Sequence, residues 1–325
     1  MRIFSGVQPT GQLHIGNYLG AIKQWVDLQT ENECIFSIVD LHSLTIPYSP
    51  NDMAKNIKSV ATAYLAAGIN PEKSILFIQS RIKEHAELCW LLNTVCPIGD
   101  LFRMTQYKEK SKQFSKNINA GLLNYPILMA ADILLYKTLG VPVGEDQVQH
   151  VELARTIARK FNKKFGETFP EPKPIISKSG AKIMALDDPK KKMSKSGSPD
   201  NYISLFDGPD AIKRKIMSSV TDTGKGVKYD AKKKPGISNL LTIYSLFSGK
   251  PIKEIEAQFK DRGYADFKKS LSQLLTEKLE PFRNKRNDLL SRDTYVEELL
   301  KKGADRARII AAATMEEVRQ KMGLI

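Results

Sequence analysis

Three short apolar runs within the first eighty residues limit what this chain can fold into. IFSGV (3–7), CIFSIVD (34–40) and SILFIQS (74–80) are each followed by polar or turn residues. Continuous runs of this length are typical of strands buried on both faces of a sheet. Helical patterns at 18–28 and 49–68 separate them, and the second opens on Ser-Pro and ends at a glycine. This order predicts a parallel, doubly wound sheet covered by helices.

The pattern changes at about residue 208, after which helical spacing continues with little strand signal. A chain of 325 residues is long enough for two domains. We predict a Rossmann-like α/β catalytic domain at 1–207, with a helical insertion at about 100–170. An α-helical domain is predicted at 208–325, and its last helix is a candidate to pack back on the first domain.

The second half of the predicted α/β domain contains more irregular sequence. The segment 103–119 is polar and lysine-rich, so we expect it to be exposed and mobile. Helices are expected at 122–138 and 145–165. PEPKP (170–174) is interpreted as a rigid break, and a short strand is expected at 182–186.

Charge and cysteine content indicate the class of binding partner and the cellular compartment. The net charge of +14 favours a polyanionic partner, either nucleic acid or a phosphate-rich ligand. No two of Cys34, Cys89 and Cys96 have the spacing of a zinc site, so we predict no metal site and three reduced thiols in the cytosol. No apolar run approaches the roughly 18 residues that a membrane span needs. The first residues have a strand pattern and not that of a basic-then-apolar leader, so we expect no signal peptide and predict a cytoplasmic protein without membrane attachment.

The loop after the first strand contains Gly6, Gly11 and Gly16 and leads into a helix at HIGN (14–17). Ligands of open α/β sheets bind beyond the carboxyl ends of the strands. A helix N-terminus at that place offers N–H groups to phosphate. The glycine spacing matches neither the dinucleotide fingerprint nor a phosphate-binding Walker loop. His14 is a candidate phosphate donor, and the alternative is an ordinary turn histidine.

Two acidic residues have a functional and a structural interpretation. Asp146 in PVGEDQ (142–147) could bind ribose hydroxyls or complement the dipole of the helix that follows. Asp132 lies inside the apolar run LMAADILLY (128–136), where a buried carboxylate is costly unless it is hydrogen-bonded. An apolar pocket with one acceptor suits a large apolar ligand that carries a single N–H. The alternative is an exposed position on an amphipathic helix.

The segment KKKMSKSGS (190–198) places several lysines among small residues. Charge runs are usually solvated surface loops. The functional interpretation is a mobile loop that neutralises phosphate charge, because lysines are compact point charges on flexible stems.

Two of these segments together carry a family resemblance. HIGN (14–17) and KMSKS (192–196) resemble the paired signature motifs of class I aminoacyl-tRNA synthetases, with Asn17 in place of the last histidine of HIGH. SGVQPTG near the N-terminus, MAADILLY, GEDQ and PGISNLL (235–241) make the chain similar to the bacterial-type tryptophanyl-tRNA synthetases over nearly its whole length.

The resemblance implies roles for individual positions. Catalytic roles fall on His14, Lys110, Lys192 and Lys195. ATP-binding positions are Gln8, Pro9, Thr10, Gly16, Asn17, Gly144, Glu145, Asp146, Ile183, Lys192, Met193, Ser194, Lys195 and Ser196. Tryptophan-binding positions are Phe4, His42, Tyr125, Met129, Asp132, Val141, Val143 and Gln147. Among these, Asp132 would accept the indole N–H.

The resemblance also implies the reaction and the partners. ATP, accompanied by Mg²⁺, would activate L-tryptophan, and the tryptophanyl group would pass to tRNA(Trp). A homodimer is expected, with its interface among the helices of 85–165. Three alternatives stay open: a tyrosyl-tRNA synthetase, a catalytically inactive relative that only binds RNA, and a coenzyme adenylyltransferase of the same superfold.

Overall fold

The computed structural model describes residues 1–9, 13–115, 118–176, 183–194, 198–224 and 226–325. Its strands are β1 (Arg2–Val7), β2 (Glu33–Ile38), β3 (Ile75–Ile78), β4 (Gly140–Val143) and β5 (Lys173–Ile176). Its helices are α1 (Ile15–Asn17), α2 (Lys23–Leu28), α3 (Asp40–Ser43), α4 (Pro50–Ala67), α5 (Glu84–Asn93), α6 (Ile98–Phe102), α7 (Thr105–Gln113), α8 (Ala120–Leu134), α9 (Val148–Phe165), α10 (Pro209–Ser218), α11 (Pro235–Ser248), α12 (Ile252–Gln258), α13 (Tyr264–Ser291) and α14 (Asp293–Met322). A π-helical turn, Tyr18–Ile22, joins α1 to α2.

The described strands form one parallel sheet in the order β3-β2-β1-β4-β5. The predicted doubly wound α/β fold is therefore confirmed. From β1 the chain first adds β2 and β3 on one side of the sheet and then β4 and β5 on the other side. The order of strand addition therefore reverses between β1 and β4. Ligands of open α/β sheets bind beyond the carboxyl ends of the strands at such a reversal.

The chain divides into two compact units. The first comprises Met1–Thr10, Gln24–Lys178 and Arg292–Ile325, and the second comprises Gly11–Lys23 and Ser179–Ser291. This division by compactness falls at other positions than the predicted boundary between residues 207 and 208. That boundary concerns functional domains and stays a prediction.

In the first unit, helix α14 packs on the edge strand β3. A Cβ atom at Gly303 would overlap the carbonyl oxygen of Leu76 and lie 2.7 Å from its carbonyl carbon, so the close approach depends on glycine. The Arg306 guanidinium donates hydrogen bonds to the carbonyls of Pro71 and Ser74 at 3.0 and 3.1 Å. The last helix thereby covers the sheet edge of its own unit.

The second unit is built mainly from α10–α13, and α10 packs along α13. The buried Lys268 ammonium donates to the carbonyls of Met217 and Ser219 at 3.2 and 2.7 Å, beside the end of α10. These bonds satisfy carbonyls that a helix end leaves without partners. Burial lowers the pKa of Lys268.

Several local expectations need correction. Residues 105–113 form helix α7, which was not predicted from the sequence, and each of its residues is at least partly exposed, as expected for the segment at 103–119. Lys, Gln and Glu favour a helix even where packing contributes little. The short strands β4 and β5 were not predicted, and β5 begins inside the expected break at 170–174. A proline is tolerated in β5 because that strand lies at the edge of the sheet.

Other boundaries agree closely with the sequence patterns. Helix α4 has Ser49 at its N-cap, Pro50 at its first position and Gly68 in the left-handed conformation at its end. The expected strand at 182–186 is represented by an isolated antiparallel bridge between Met184 and Lys192, and residue 182 lies outside the described residues. Among the helices in the described part of the chain, none is both long and apolar enough to cross a bilayer.

Candidate active site

The carboxyl edge of the sheet gathers predicted site residues of the first unit. The register pairs Ile3 with Gly140, so the ends of β1 and β4 are level. Gln8 and Pro9 follow β1, and the segment Gly144–Gln147 follows β4. Because neighbouring parallel strands end at the same edge, these segments flank the reversal point of the sheet.

Asp132 of α8 is buried and has three hydrogen-bond partners in the first unit. His42 Nε2 lies 2.7 Å from Asp132 Oδ2, and His85 Nδ1 lies 2.6 Å from Oδ1. Gln79 Nε2 donates to Oδ1 at 2.6 Å. Burial acts to raise the pKa of Asp132, but the neighbouring His42 and hydrogen bonds from both histidines outweigh it and hold the pKa well below its usual range. The alternative of an exposed position for Asp132 is wrong.

The same face of α8 carries further predicted residues. Tyr125, Met129 and Asp132 follow helical spacing, so their side chains lie along one stripe. The rings of His42 and Tyr125 are 6.3 Å apart in an edge-on arrangement. The structure therefore brings His42, Tyr125 and Asp132 together, which the sequence order by itself does not do.

Apolar residues of the predicted tryptophan slot belong to the core beside this stripe. Phe4 and Val141 are members of one buried hydrophobic cluster, and Met129 and Val143 pack against it. The Phe4 ring stacks on Tyr136 with centroids 5.6 Å apart. An apolar wall next to a single charged acceptor is suited to a flat aromatic ligand.

Lys110 lies close to the predicted amino-acid site. Its ammonium lies 4.7 Å from the centroid of the Tyr125 ring, and burial lowers its pKa. The Tyr125 hydroxyl lies 3.0 Å from His150 Nε2, and His150 is fully buried. Burial, together with the nearby charge of Lys110, lowers the pKa of His150 to about 4. His150 is therefore neutral at physiological pH.

The acidic turn after β4 is accessible to ligand. Gly144, Glu145 and Asp146 are exposed, and Gln147 is half-buried. Glu145–Gln147 form one 3₁₀ turn before α9, and Gln147 Nε2 donates to Asp146 Oδ2 at 2.9 Å. The turn presents carboxylates that can accept hydrogen bonds from hydroxyl groups.

In the second unit, HIGN forms the reciprocal cap of helix α1. His14 Nδ1 accepts from the Asn17 backbone N–H at 3.3 Å, and Asn17 Oδ1 accepts from the His14 N–H at 3.2 Å. A Cβ atom at Gly16 would lie 2.9 Å from His14 Nδ1 and 3.7 Å from the Ile183 Cβ. His14, Gly16, Asn17 and Ile183 are therefore neighbours. Since Nδ1 of His14 accepts, its ring proton is placed on Nε2.

The first residues of KMSKS are hydrogen-bonded to the segment that contains Ile183. The Met193 N–H donates to the Ile183 carbonyl at 2.9 Å, and Met184 and Lys192 form an antiparallel bridge. Met193 is buried, whereas Lys192 and Ser194 are exposed. The structure thus places Lys192 and Met193 beside the residue that also neighbours HIGN. Three predicted site residues, Thr10, Lys195 and Ser196, lie outside the described residues.

Several residues of the site were missed by sequence reasoning. Asn239 of PGISNLL accepts a hydrogen bond from the Met184 N–H and donates one to the Met184 carbonyl, at 2.9 Å each. It thereby holds the residue that pairs with Lys192 at the start of KMSKS. Gln79 could have been found, because it follows β3 as His42 follows β2. His85 and His150 lie within helices, and no local pattern distinguishes them from other helical polar residues.

No group of three or more His, Cys, Asp or Glu residues suited to hold a metal ion occurs in the ranges that the structure describes. The three cysteines are free thiols. Burial raises the pKa of Cys34 and Cys96 to about 11 and that of Cys89 to about 12, so they are protonated and weak nucleophiles.

The lowered pKa of His150 predicts a pH-dependent stability. Between pH 6.5 and 4 the unfolded chain binds a proton at this residue and the folded chain does not, so stability falls as the pH drops through that window. The loss amounts to at most about 3 kcal/mol. His150→Gln keeps a polar group for Tyr125 but cannot titrate, so we expect a shallower decline. Urea unfolding at pH 7 and pH 4.5 measures this. Parallel declines in the two proteins would contradict it.

Comparison with known proteins identifies the family of the chain. A family profile described as tRNA synthetases class I (W and Y) matches residues 1–280. A tryptophan–tRNA ligase of Caldanaerobacter subterraneus subsp. tengcongensis is 52% identical over 325 residues, covering 100% of this chain and 98% of the relative.

Two solved structures are similar over nearly the whole chain. Tryptophanyl-tRNA synthetase from Mycoplasma pneumoniae has a TM-score of 0.88 at 34% identity, covering 99% of this chain and 97% of that one. The enzyme from Campylobacter jejuni, complexed with ADP and tryptophan, has a TM-score of 0.86 at 39% identity, covering 99% and 100%. The resemblance found in the motifs is confirmed, and the chain belongs to the class I tRNA synthetases of the tryptophan and tyrosine family.

Proposed function

We propose that this chain is a tryptophan–tRNA ligase. It activates L-tryptophan with ATP and then transfers the tryptophanyl group to tRNA(Trp). The observation that carries the choice of amino acid is the buried, ionised Asp132 beside apolar walls, because it offers one strong acceptor to a ring N–H. Full-length similarity to a tryptophan–tRNA ligase supports the same substrate.

The first step requires no general base. The tryptophan carboxylate is already an anion at neutral pH, and one of its oxygens attacks the α-phosphorus of ATP. The bond from that phosphorus to the bridging oxygen breaks, and pyrophosphate leaves. The protein's contribution is to position the reactants and to neutralise the charge that develops on the phosphates.

The predicted residues divide between these tasks. His14, Gly16, Asn17 and Ile183 would contact ATP, together with Gln8, Pro9, Thr10 and the segment 144–146. The lysines of KMSKS and Lys110 would neutralise pyrophosphate. Mg²⁺ would accompany the nucleotide, coordinated mainly by phosphate oxygens and water. In the second step a terminal ribose hydroxyl of the tRNA attacks the acyl carbon and AMP leaves.

Residues 208–325 are proposed to bind the anticodon region of the tRNA. The net charge of +14 supports a polyanionic partner, since electrostatic attraction supplies much of nucleic-acid affinity. We also propose that the protein acts in the cytoplasm, where tRNA is charged for translation. Its three free cysteines suit a reducing compartment.

ATP–pyrophosphate exchange with each of the twenty amino acids, in the absence of tRNA, tests the function. We expect exchange with tryptophan and none above background with the others, because only tryptophan presents an indole N–H to Asp132. Exchange with tyrosine instead would assign the chain to the tyrosine branch of its family. No exchange in a folded sample that binds ATP would indicate an inactive relative.

Lys195→Ala is expected to slow amino-acid activation by at least about a hundredfold, with little change in tryptophan affinity. The reason is that the lysine acts on charge present at the leaving pyrophosphate, and the loss of one such contact costs about that much. Single-turnover kinetics and equilibrium binding measure the two quantities. Lys190→Ala removes the same charge from the same segment and should have little effect. An equal loss of tryptophan binding, or an equal effect at Lys190, would contradict this role.

We propose a homodimer whose interface includes the apolar surface of α5 and α6. Trp90, Ile98 and Phe102 are 71%, 62% and 48% exposed, and such large apolar side chains in one region indicate an interaction surface. Sedimentation should give twice the 36.5 kDa chain mass. Trp90→Glu should yield monomers, and Ile309→Glu, at a 73% exposed position of α14, should remain dimeric. A monomeric wild type or a dimeric Trp90→Glu protein would contradict this interface.

A further inference from the structure

A second histidine contacts Asp132 at the carboxylate oxygen that His42 does not contact. His85 is completely buried in α5, and its ring joins two other buried side chains. Its Nδ1 lies 2.6 Å from Asp132 Oδ1, and its Nε2 lies 2.7 Å from the Tyr136 hydroxyl. The resemblance assigns no role to His85, Tyr136 or Gln79.

The hydrogen bonds determine where the protons lie. Asp132 has a pKa well below its usual range and is ionised, so it only accepts, and His85 Nδ1 must carry a proton. Burial raises the pKa of Tyr136 far above its usual value, so its hydroxyl keeps its proton. His85 Nδ1–H therefore donates to Asp132, and the Tyr136 hydroxyl is the hydrogen-bond partner of His85 Nε2. Both ring nitrogens of His85 thus have a buried partner, so the orientation of the ring is set from two sides.

A count of lone pairs shows what is left for a ligand. Each carboxylate oxygen can accept about two hydrogen bonds. Oδ1 of Asp132 accepts from His85 and from Gln79, so it is saturated. Oδ2 has His42 as its partner and keeps one further acceptor position.

We propose that His85, oriented by Tyr136, is a positioning residue that determines specificity through Asp132. Together with Gln79 it occupies Oδ1, and it thereby leaves one acceptor position, on Oδ2, for the ring N–H of the amino acid. This inference rests on the proposed role of Asp132 in reading that N–H. It adds the residue that sets the orientation of the carboxylate. Rotation of the carboxylate about the last side-chain torsion of aspartate is otherwise only weakly restricted.

The consequence is that a ligand with a ring N–H binds more tightly than a ligand of the same shape without one. A ligand without the N–H leaves the Oδ2 position unpaired in a buried site, and such unpaired groups are the strongest source of discrimination. If His85 no longer donates to Oδ1, the carboxylate can turn and satisfy itself with protein donors. Tryptophan then loses its advantage over a ligand of equal shape, whereas packing of the ring is retained.

The experiment compares tryptophan with 3-(benzothiophen-3-yl)alanine, in which sulfur replaces the indole N–H. Equilibrium dissociation constants of both ligands are measured in the full-length protein. We expect the wild type to prefer tryptophan by about a hundredfold. His85→Gln, whose amide nitrogen replaces Nε2 but not Nδ1, should reduce this preference about tenfold. The affinity for the sulfur analogue and for ATP should change less than about twofold.

His85→Asn is the matched control. Its amide nitrogen occupies the place of Nδ1 and can still donate to Asp132, so the preference for tryptophan should stay near that of the wild type. A role of His85 in packing alone predicts that Gln and Asn weaken both ligands alike, with the preference unchanged. That result would overturn the inference.

Tyr136→Phe provides a second route if His85→Gln does not fold. It removes the hydroxyl that orients His85 and keeps the ring, and the preference for tryptophan should fall about threefold. An unchanged preference in a folded Tyr136→Phe protein would also overturn the inference. Failure of the proposed function gives a different result, because a wild type without any preference would show that Asp132 does not read the N–H.

Discussion

A negative charge buried on the apolar face of α8 is the constraint on which the candidate pocket depends. Removing a carboxylate from water costs several kcal/mol, and only well-placed donors offset this. For Asp132 the donors come from three other segments: His42 after β2, Gln79 after β3 and His85 in α5. Charge-assisted hydrogen bonds are stronger than neutral ones. The same contacts that stabilise the charge therefore also fix α8 against the carboxyl edge of the sheet.

The parallel sheet explains why those donors are available at one place. All described strands point the same way, so every loop that follows a strand begins at the same edge. Strand order then decides which loops are neighbours, and the reversal between β1 and β4 brings the first loop beside the acidic turn at Gly144. In the second unit, helix capping fixes the local geometry of the site residues. Paired hydrogen bonds between His14 and Asn17 hold HIGN in one conformation.

The outcome of sequence reasoning differed between long and short elements. Helix α4 was predicted nearly to the residue, because its proline, its apolar face and its terminal glycine all act locally. Strands β4 and β5 have four residues each and include prolines, so their pairing with neighbours outweighs a weak local signal. Segment 105–113 was interpreted as mobile from its charge, although the same long side chains favour a helix.

The sequence by itself determined the fold class, the family and the identity of many candidate site residues, because periodicity and short motifs are local properties of the chain. Tertiary structure alone decided which groups share the charge of Asp132. His85 and Tyr136 are fifty-one residues apart in sequence and 2.7 Å apart in space, and no pattern in either segment encodes that distance. A hydrogen bond between distant segments exists only when packing has fixed both partners. The state of a buried carboxylate therefore follows from the folded structure, whereas its presence in an apolar run could be read from the sequence.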